Sequence, residues 1–128
     1  MARLLVDSHV LLWHLLGDSR LGPRPTAAIE AEDAEVLVSI ASLWEIAIKS
    51  ALGKLEAPAD LPARVEELGF HSLAITPDHA WHVRSLPHHH GDPFDRLLIA
   101  QAQVERLPIL TADPAFAAYD VELAWGPS

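Results

Sequence analysis

The sequence predicts an α/β protein with a mostly parallel sheet. Short runs rich in Leu, Val and Ile alternate with longer stretches in which apolar residues recur every three or four positions. Glycine, proline and capping residues separate these segments. The 128 residues, 50% of them hydrophobic, suffice for one compact domain with a core of its own.

Five apolar runs are predicted to be strands because they are short and rich in β-formers. They are residues 2–7, 35–40, 71–76, 107–113 and 121–125. The predicted helices are residues 8–22, ending at Gly17 or Gly22, then 23–34, 42–55, 59–70, 77–86 and 92–107, with a turn or short helix at 114–120. Trp13, Trp44 and Trp81 lie in these helices, and we expect all three in the core.

The composition limits the possible functions. Without cysteine, the chain has no disulfide, no thiolate zinc site and no cysteine nucleophile. No run of about 18 apolar residues is present, so we expect no membrane span. The first residues, MARLLVDSH, lack the basic and long apolar regions of a secretory signal. We therefore expect a cytoplasmic protein.

The formal net charge of −9 argues against a broad basic face for nucleic acid, because affinity for phosphates scales with Lys and Arg contacts. Two interpretations of the acidity remain open. It can simply keep the protein in solution. Alternatively, several acids are gathered in one place, where they bind cations.

Two acids follow predicted strands. Asp7 comes directly after Leu4, Leu5 and Val6, and Asp113 ends the run that contains Thr111. A carboxylate beside a buried strand is costly unless it is hydrogen-bonded, paired or metal-bound, and ligands of open α/β sheets bind beyond the carboxyl ends of strands. The alternatives are structural, since Asp7 can cap the next helix and Asp113 can form a turn with the following proline.

Three further acids stand near predicted helix starts. Ser42 and Glu45 match the S-x-x-E capping box, although the first helical turn can also project Glu45 over the strand ends. In the segment D-P-F-D, Asp92 is a suitable N-cap, Pro93 fits the first helical position and Asp95 falls at the third. Because capping explains Asp92 better than Asp95, we assign Asp92 mainly to structure and Asp95 mainly to chemistry.

The four remaining acids, Asp7, Glu45, Asp95 and Asp113, all fall on one predicted edge of the sheet. Like charges held together are unfavourable without a cation, and an all-oxygen cluster suits Mg²⁺ or Mn²⁺. Such ions polarise phosphoryl oxygens and activate water, so the pattern predicts metal-dependent phosphodiester hydrolysis. A phosphatase is disfavoured because the first strand ends in DSH and not in D-x-D, and a receiver domain because VSIAS supplies no aspartate.

Three segments carry a family resemblance: LLVDSHVLLWHL, VSIASLWEIAIKSALGKL and HHHGDPFDRLLIAQAQVERLPILTAD. They resemble the PIN-domain ribonucleases, specifically VapC-type toxins of bacterial toxin–antitoxin systems, over nearly the whole chain. The resemblance implies a three-layer α/β/α sandwich, with residues 1–128 as a single PIN domain. It also implies an endoribonuclease dependent on Mg²⁺ or Mn²⁺, whose products carry 5′-phosphate and 3′-hydroxyl ends.

The same resemblance assigns the site residues. The family's four acids correspond to Asp7, Glu45, Asp95 and Asp113, and its strand-end and neighbouring hydroxyl groups to Thr111 and Ser8.

Two positions depart from the pattern of many relatives, since Gly91 and Ala112 stand in place of arginines. These changes remove positive charge near the predicted cleft. Arg96 remains, either as a phosphate contact or as a surface helix residue.

The resemblance also predicts partners: an RNA substrate, a VapB-like antitoxin, and a homodimer or larger toxin–antitoxin oligomer, with no membrane. The alternative function is a PIN-fold module that binds RNA or a partner with weak or no catalysis. For the histidines 88–90, we expect a loop that lines the cleft, with one of them near the phosphate, because three consecutive residues rarely bind one zinc ion. His9 and His14, beside Trp13, are expected to pack or to face a partner.

Overall fold

The computed structural model describes residues 2–124. Its strands are β1 (Ala2–Val6), β2 (Ala34–Ser39), β3 (His71–Leu73) and β4 (Ile109–Leu110). Its α-helices are α1 (Ser8–Leu16), α2 (Pro23–Glu30), α3 (Ile40–Ala51), α4 (Leu61–Glu67), α5 (Pro77–His82) and α6 (Pro93–Glu105). Short 3₁₀ segments cover Ser19–Leu21, Val83–Ser85 and Pro114–Ala118. Within the described residues, no helix is both long and apolar enough to span a membrane.

The four strands form one sheet in the order β3-β2-β1-β4, and every pairing in it is parallel. Alternate residues of the strands enter two separate apolar clusters. Val6, Val38 and Leu110 pack with residues of α1 to α4. Leu5, Leu37 and Ile109 pack with residues of α6 and of the 3₁₀ segment before Tyr119. Helices therefore cover both faces, which confirms the predicted three-layer α/β/α arrangement and explains why the runs Leu4–Val6 and Val36–Val38 are continuously apolar.

Several predicted boundaries are wrong by a few residues. β3 ends at Leu73 and β4 covers two residues, so both are shorter than the apolar runs that predicted them. The last predicted strand is reduced to a single bridge between Leu123 and Ile109, and Trp125 lies outside the described residues. α3 begins at Ile40, two residues before its predicted start, because Ser39 caps it by accepting a hydrogen bond from the Ala41 N–H.

The tryptophans are only partly in the core. Trp13 is half-buried against the α1 side of the sheet, as expected. The prediction for the other two is wrong, since Trp44 is 57% exposed and Trp81 is 67% exposed. Each lies on the outward face of its helix, where helical periodicity alone cannot distinguish a core position from a partner-facing one.

Candidate functional site

Asp7 is the N-cap of α1, the structural alternative considered for it, and it also has a long-range hydrogen bond. It directly follows β1, and its Oδ1 accepts the Val10 N–H at 2.8 Å, which caps α1. Its Oδ2 accepts a hydrogen bond from the hydroxyl of Thr111, the residue that directly follows the neighbouring strand β4. Burial raises the pKa of the Asp7 carboxyl, with Asp113 adding to the rise, although the two hydrogen bonds oppose it.

Thr111 also connects Asp7 to Asp113. The Thr111 Oγ accepts the Asp113 N–H at 3.1 Å. The Asp113 carboxylate accepts the Ala115 N–H at 2.9 Å and so caps the short 3₁₀ helix that follows. The turn interpretation of Asp113 is therefore correct, and the same carboxylate lines a surface depression together with Asp7.

Glu45 lies in the second turn of α3, where it faces α1. The capping box with Ser42 is wrong, because α3 begins earlier and Ser39 is its cap. The Glu45 Oε1 accepts the Ser8 hydroxyl at 2.5 Å, and its Oε2 pairs with Lys49 Nζ at 2.6 Å. Only 5% of Glu45 is exposed, and each oxygen of this buried carboxylate has one protein partner, a hydroxyl for Oε1 and an ammonium group for Oε2.

Asp92 caps α6, as the sequence predicted, and Asp95 has a different partner. The Asp92 Oδ1 accepts the backbone N–H groups of Phe94 and Asp95 at 2.8 and 3.1 Å, which caps α6. The Asp95 Oδ2 instead lies 2.7 Å from His90 Nε2. Burial raises the pKa of the Asp95 carboxyl to about 6, with Asp92 and Glu45 contributing and the His90 hydrogen bond opposing.

Arg96 is neither a surface residue nor a free cation, so the surface interpretation is wrong. It is 8% exposed, and its guanidinium donates to the carbonyl oxygens of Val83, Leu86 and Pro87 at 2.8 to 3.3 Å. It also donates to the Tyr119 hydroxyl at 3.3 Å. Arginine suits this task because its five N–H donors form a fixed fork. The residue fastens the loop before α6 to the body of the protein.

Tyr119 continues that fastening. Its hydroxyl accepts the backbone N–H groups of His89 and His90 at 3.2 and 2.9 Å. Arg96 and Tyr119 together hold the histidine loop, and His90 is the member of the triplet whose ring reaches Asp95. The expectation that the loop lines the cleft with one histidine is consistent with this geometry.

Two groups of side chains in residues 2–124 place one potential ligand atom each within 4.8 Å of one another. They are Glu45, Asp92 and Asp95, and His90, Asp95 and Asp113. Asp95 belongs to both groups and so stands at their centre. Asp7 is in neither, and it joins the cluster through Thr111 on one side and through Ser8, its chain neighbour, on the other.

The donor set fits a hard divalent cation. Carboxylate oxygens predominate, and one imidazole nitrogen is within reach. That composition suits Mg²⁺ or Mn²⁺, and the nitrogen favours Mn²⁺ of the two. Burial is the main cause of the raised pKa of Asp95, and the neighbouring charges of Asp92 and Glu45 add to the rise, so a cation bound there would stabilise the ionised carboxylate.

Sequence reasoning missed two residues of this site. Lys49 stands four positions after Glu45, and this spacing predicts an ion pair on a helix, so the pair could have been predicted from the sequence. Tyr119 gave no sequence signal, because its contacts with the loop span 29 and 30 residues.

A protein-family model described as the PIN domain matches residues 4–122, and the chain therefore belongs to the PIN-domain family. Its relatives include Ribonuclease VapC22 of Mycobacterium tuberculosis (strain ATCC 25618 / H37Rv), which is 31% identical over 116 residues and matches over 88% of each chain. The resemblance to VapC-type PIN domains is thereby confirmed.

Solved structures share the fold. A chain of VapBC2 from Rickettsia felis, crystallised with a promoter DNA fragment, matches with a TM-score of 0.69 at 12% identity, covering 97% of this chain and 99% of that one. A toxin–antitoxin complex from Klebsiella pneumoniae matches with a TM-score of 0.62 at 22% identity, and the match covers 91% of each chain. FitAcB from Neisseria gonorrhoeae matches with a TM-score of 0.60 at 21% identity, and the match covers 94% of this chain and 95% of that one.

Proposed function

We propose that this protein is a divalent-metal-dependent endoribonuclease and the toxin of a toxin–antitoxin pair. The observation that carries the proposal is the carboxylate cluster at the carboxyl edge of the sheet, in which Asp95 is within ligand-sharing distance of Glu45 and of Asp113. The relative named Ribonuclease VapC22 supports RNA as the substrate.

The proposed cofactor is Mg²⁺ or Mn²⁺, held by Glu45, Asp95 and Asp113, with Asp7 contributing directly or through water. When bound, such an ion stabilises charge on the scissile phosphate and lowers the pKa of a water molecule to produce the attacking hydroxide. The protein's own task is to keep these carboxylates oriented and, for Asp95, to release the proton that it retains below about pH 6.

The surrounding polar side chains orient the acids. Ser8 donates to Glu45 and Thr111 donates to Asp7, and each hydroxyl therefore fixes one carboxylate oxygen while the other remains directed toward a different partner. The Lys49 ammonium offsets the charge of Glu45, and its pKa is raised by that hydrogen bond. We propose that Lys49 keeps the cluster from repelling an approaching RNA phosphate as strongly as four bare carboxylates would.

A VapB-like antitoxin is the proposed partner, supported by the toxin–antitoxin complexes among the structures with this fold. The outward face of α3, continued by its C-cap Leu52, carries an apolar stripe with a spacing of four residues. Its exposed fractions are 39% for Ile40, 57% for Trp44, 37% for Ile48 and 64% for Leu52. Exposed apolar patches of this kind mark partner surfaces.

The α3 stripe reaches the acidic cluster. The Trp44 ring packs edge-on against Phe94 at 5.1 Å, and Phe94 lies between the two acids at the start of α6. An antitoxin segment on the stripe could place a basic side chain within reach of the carboxylates, where it would compete with the metal.

A homodimer or larger toxin–antitoxin oligomer is also part of the proposal. Light scattering of the protein alone and with its antitoxin tests the oligomeric state.

The test of the activity is cleavage of a mixed RNA pool with EDTA, with Mg²⁺ and with Mn²⁺. We expect discrete products only with metal, and none from Asp7→Asn or Asp95→Asn. Asp92→Asn tests the assignment of Asp92 to capping, since it removes an equal charge from a residue within ligand-sharing distance of Asp95 and should still cleave. A folded wild-type protein that binds RNA but cuts none with either ion would contradict the nuclease and favour the binding-module alternative.

A further inference from the structure

One depression of about 300 Å³ opens directly beside the acids. It is lined by Asp7, His9, Trp13, Arg20, Ala112 and Asp113. This volume is at the lower end of the range for small-molecule sites. The carboxylates of Asp7 and Asp113 belong to the proposed active site. The aromatic and cationic side chains on the opposite wall have no role in the proposed hydrolysis of RNA.

The aromatic wall consists of two rings on α1. His9 is exposed and Trp13 half-buried, and their centroids lie 5.9 Å apart at an angle of 44°. They are one helical turn apart, which is why both face the same side. Packing accounts for the inner part of Trp13, which contacts the core, but not for its outer part in the depression.

The cation above this wall is held in place. The Arg20 guanidinium lies 5.2 Å from the centroid of Trp13, and its Nε and Nη2 pair with the Asp18 carboxylate at 2.7 to 3.1 Å. α1 ends at Gly17 with a φ of 63°, so the chain turns back over Trp13. The next segment is anchored by Leu21, which is 3% exposed. Arg20 is therefore pre-positioned although its side chain is exposed.

Single-stranded RNA is the chemistry that such a wall fits. Bases stack on aromatic rings and on guanidinium planes, and this contact tolerates any base. Binding of an RNA phosphate is favoured by a nearby cation. In a protein of net charge −9, Arg20 provides such a cation beside the acids.

We propose that His9, Trp13 and Arg20 form a nucleotide subsite adjoining the carboxylates, in which one unpaired base of the RNA stacks on the two rings and Arg20 contacts the neighbouring phosphate. This inference rests on the proposed ribonuclease function. It implies that the substrate is single-stranded, or splayed open, at the nucleotide next to the scissile bond. It does not require a particular base.

The chain provides a matched control. Trp81 and Arg84 form a second tryptophan–arginine pair with a guanidinium-to-centroid distance of 4.6 Å. They lie on α5 and the 3₁₀ segment after it, outside the depression that contains Asp7 and Asp113. Changes to this pair remove the same chemical groups from a different surface.

The experiment measures binding of a fluorescein-labelled, random-sequence, single-stranded RNA by anisotropy with Mn²⁺, using Asp95→Asn as the host so that turnover is suppressed. In this host, Trp13→Leu is expected to weaken binding roughly 5- to 150-fold, the range seen when one stacked base is lost, and Trp13→Phe to restore part of it. Trp81→Leu should leave the affinity unchanged. Circular dichroism checks that each variant is folded.

Arg20→Gln separates a phosphate contact from a structural role. Loss of one phosphate contact lowers the slope of log affinity against log salt by about 0.7 for single strands. Arg84→Gln should leave the slope unchanged. Three results would each overturn the subsite: an RNA affinity of Trp13→Leu within a factor of two of that of the host, an equal loss of affinity for Trp81→Leu, or no RNA binding by the host. An unchanged salt slope for Arg20→Gln would overturn the phosphate contact.

Cleavage by the otherwise wild-type protein distinguishes the two proposals. If it cleaves RNA and Trp13→Leu leaves both KM and binding unchanged, the nuclease stands and the subsite fails. If it cleaves nothing while Trp13→Leu still loses affinity and Trp81→Leu does not, the subsite stands and the nuclease fails. If Trp13→Leu weakens antitoxin binding but not RNA binding, the wall is a protein-partner surface and the subsite is overturned.

Discussion

Replacing Asp95 with Asn should stabilise the metal-free protein while abolishing its activity. The change removes the carboxylate at the centre of the cluster but keeps its shape, and the amide oxygen can still accept the hydrogen bond that joins Asp95 to His90. A substitution that improves stability and removes function at the same time identifies a group held for its chemistry.

The size of the effect follows from the pKa of Asp95, which is raised from 3.8 to about 6. Each unit corresponds to about 1.4 kcal/mol, so full conversion gives about 3 kcal/mol of destabilisation by the ionised group. Since 21% of the side chain is exposed, solvent screening reduces this. We expect a gain of about 1–2 kcal/mol for Asp95→Asn at pH 7.5, or roughly 3–8 °C in Tm.

The sign of the pH dependence is fixed by the direction of the shift. The folded-state pKa of Asp95 lies above its unfolded value, so bound protons favour the fold, and this contribution is lost as the pH rises from about 4 through about 6. The gain for Asp95→Asn is therefore largest above pH 7 and shrinks toward pH 4, where the wild-type carboxyl is protonated in the folded state.

The assay is urea unfolding with EDTA at pH 7.5 and pH 4, with Asp120→Asn as a control that removes an equal charge from an exposed position. Added Mn²⁺ should stabilise the wild type at pH 7.5 more than it stabilises the Asp95→Asn variant. A variant less stable than the wild type at pH 7.5, or a gain as large at pH 4 as at pH 7.5, would refute the reasoning.

Removing the α6 cap by Asp92→Ala should lower the free energy of unfolding by about 1 kcal/mol in urea, and Asp92→Asn, which keeps an acceptor oxygen, should lose less; equal losses would contradict the capping role. Tyr119→Phe removes the acceptor for two loop N–H groups, so hydrogen exchange at residues 89 and 90 should accelerate while that of Ile99 in α6 does not. Mn²⁺ affinity by calorimetry should fall about tenfold between pH 7 and pH 5, because a carboxyl with a pKa of about 6 is then mostly protonated. If the residual Mn²⁺ affinity of Asp95→Asn falls just as steeply between pH 7 and pH 5, the Asp95 carboxyl is excluded as the cause of the pH dependence.

The order of elements could be predicted from the sequence because the signals are local. Apolar runs such as Leu4–Val6 and Val36–Val38 predict strands without knowledge of what covers them. The cap at Asp92 was equally local, since its hydrogen bonds reach only two and three residues along the chain. The acids converge because parallel strands end at the same edge, a property of the fold class that needs no side-chain detail.

The partners of the site residues could not be predicted in the same way. The hydrogen bonds of Ser8 to Glu45 and of Thr111 to Asp7 join residues 37 and 104 positions apart, and no periodicity encodes a pairing at such a separation. Arg96 illustrates the difficulty best. In the sequence it looks like a surface helix cation, but packing turns it inward to carbonyl oxygens that lie 9 to 13 positions before it.

The sequence by itself determined the class of fold, the family and the four acids at one edge of the sheet, because strand, helix and cap signals depend on neighbouring residues. Only the tertiary structure decided which acid stands at the centre of the cluster, that Lys49 and His90 accompany it, and that the Trp13 wall adjoins it. The physical reason is that burial, charge proximity and long-range hydrogen bonds arise when elements pack against one another, and local patterns constrain that packing only weakly.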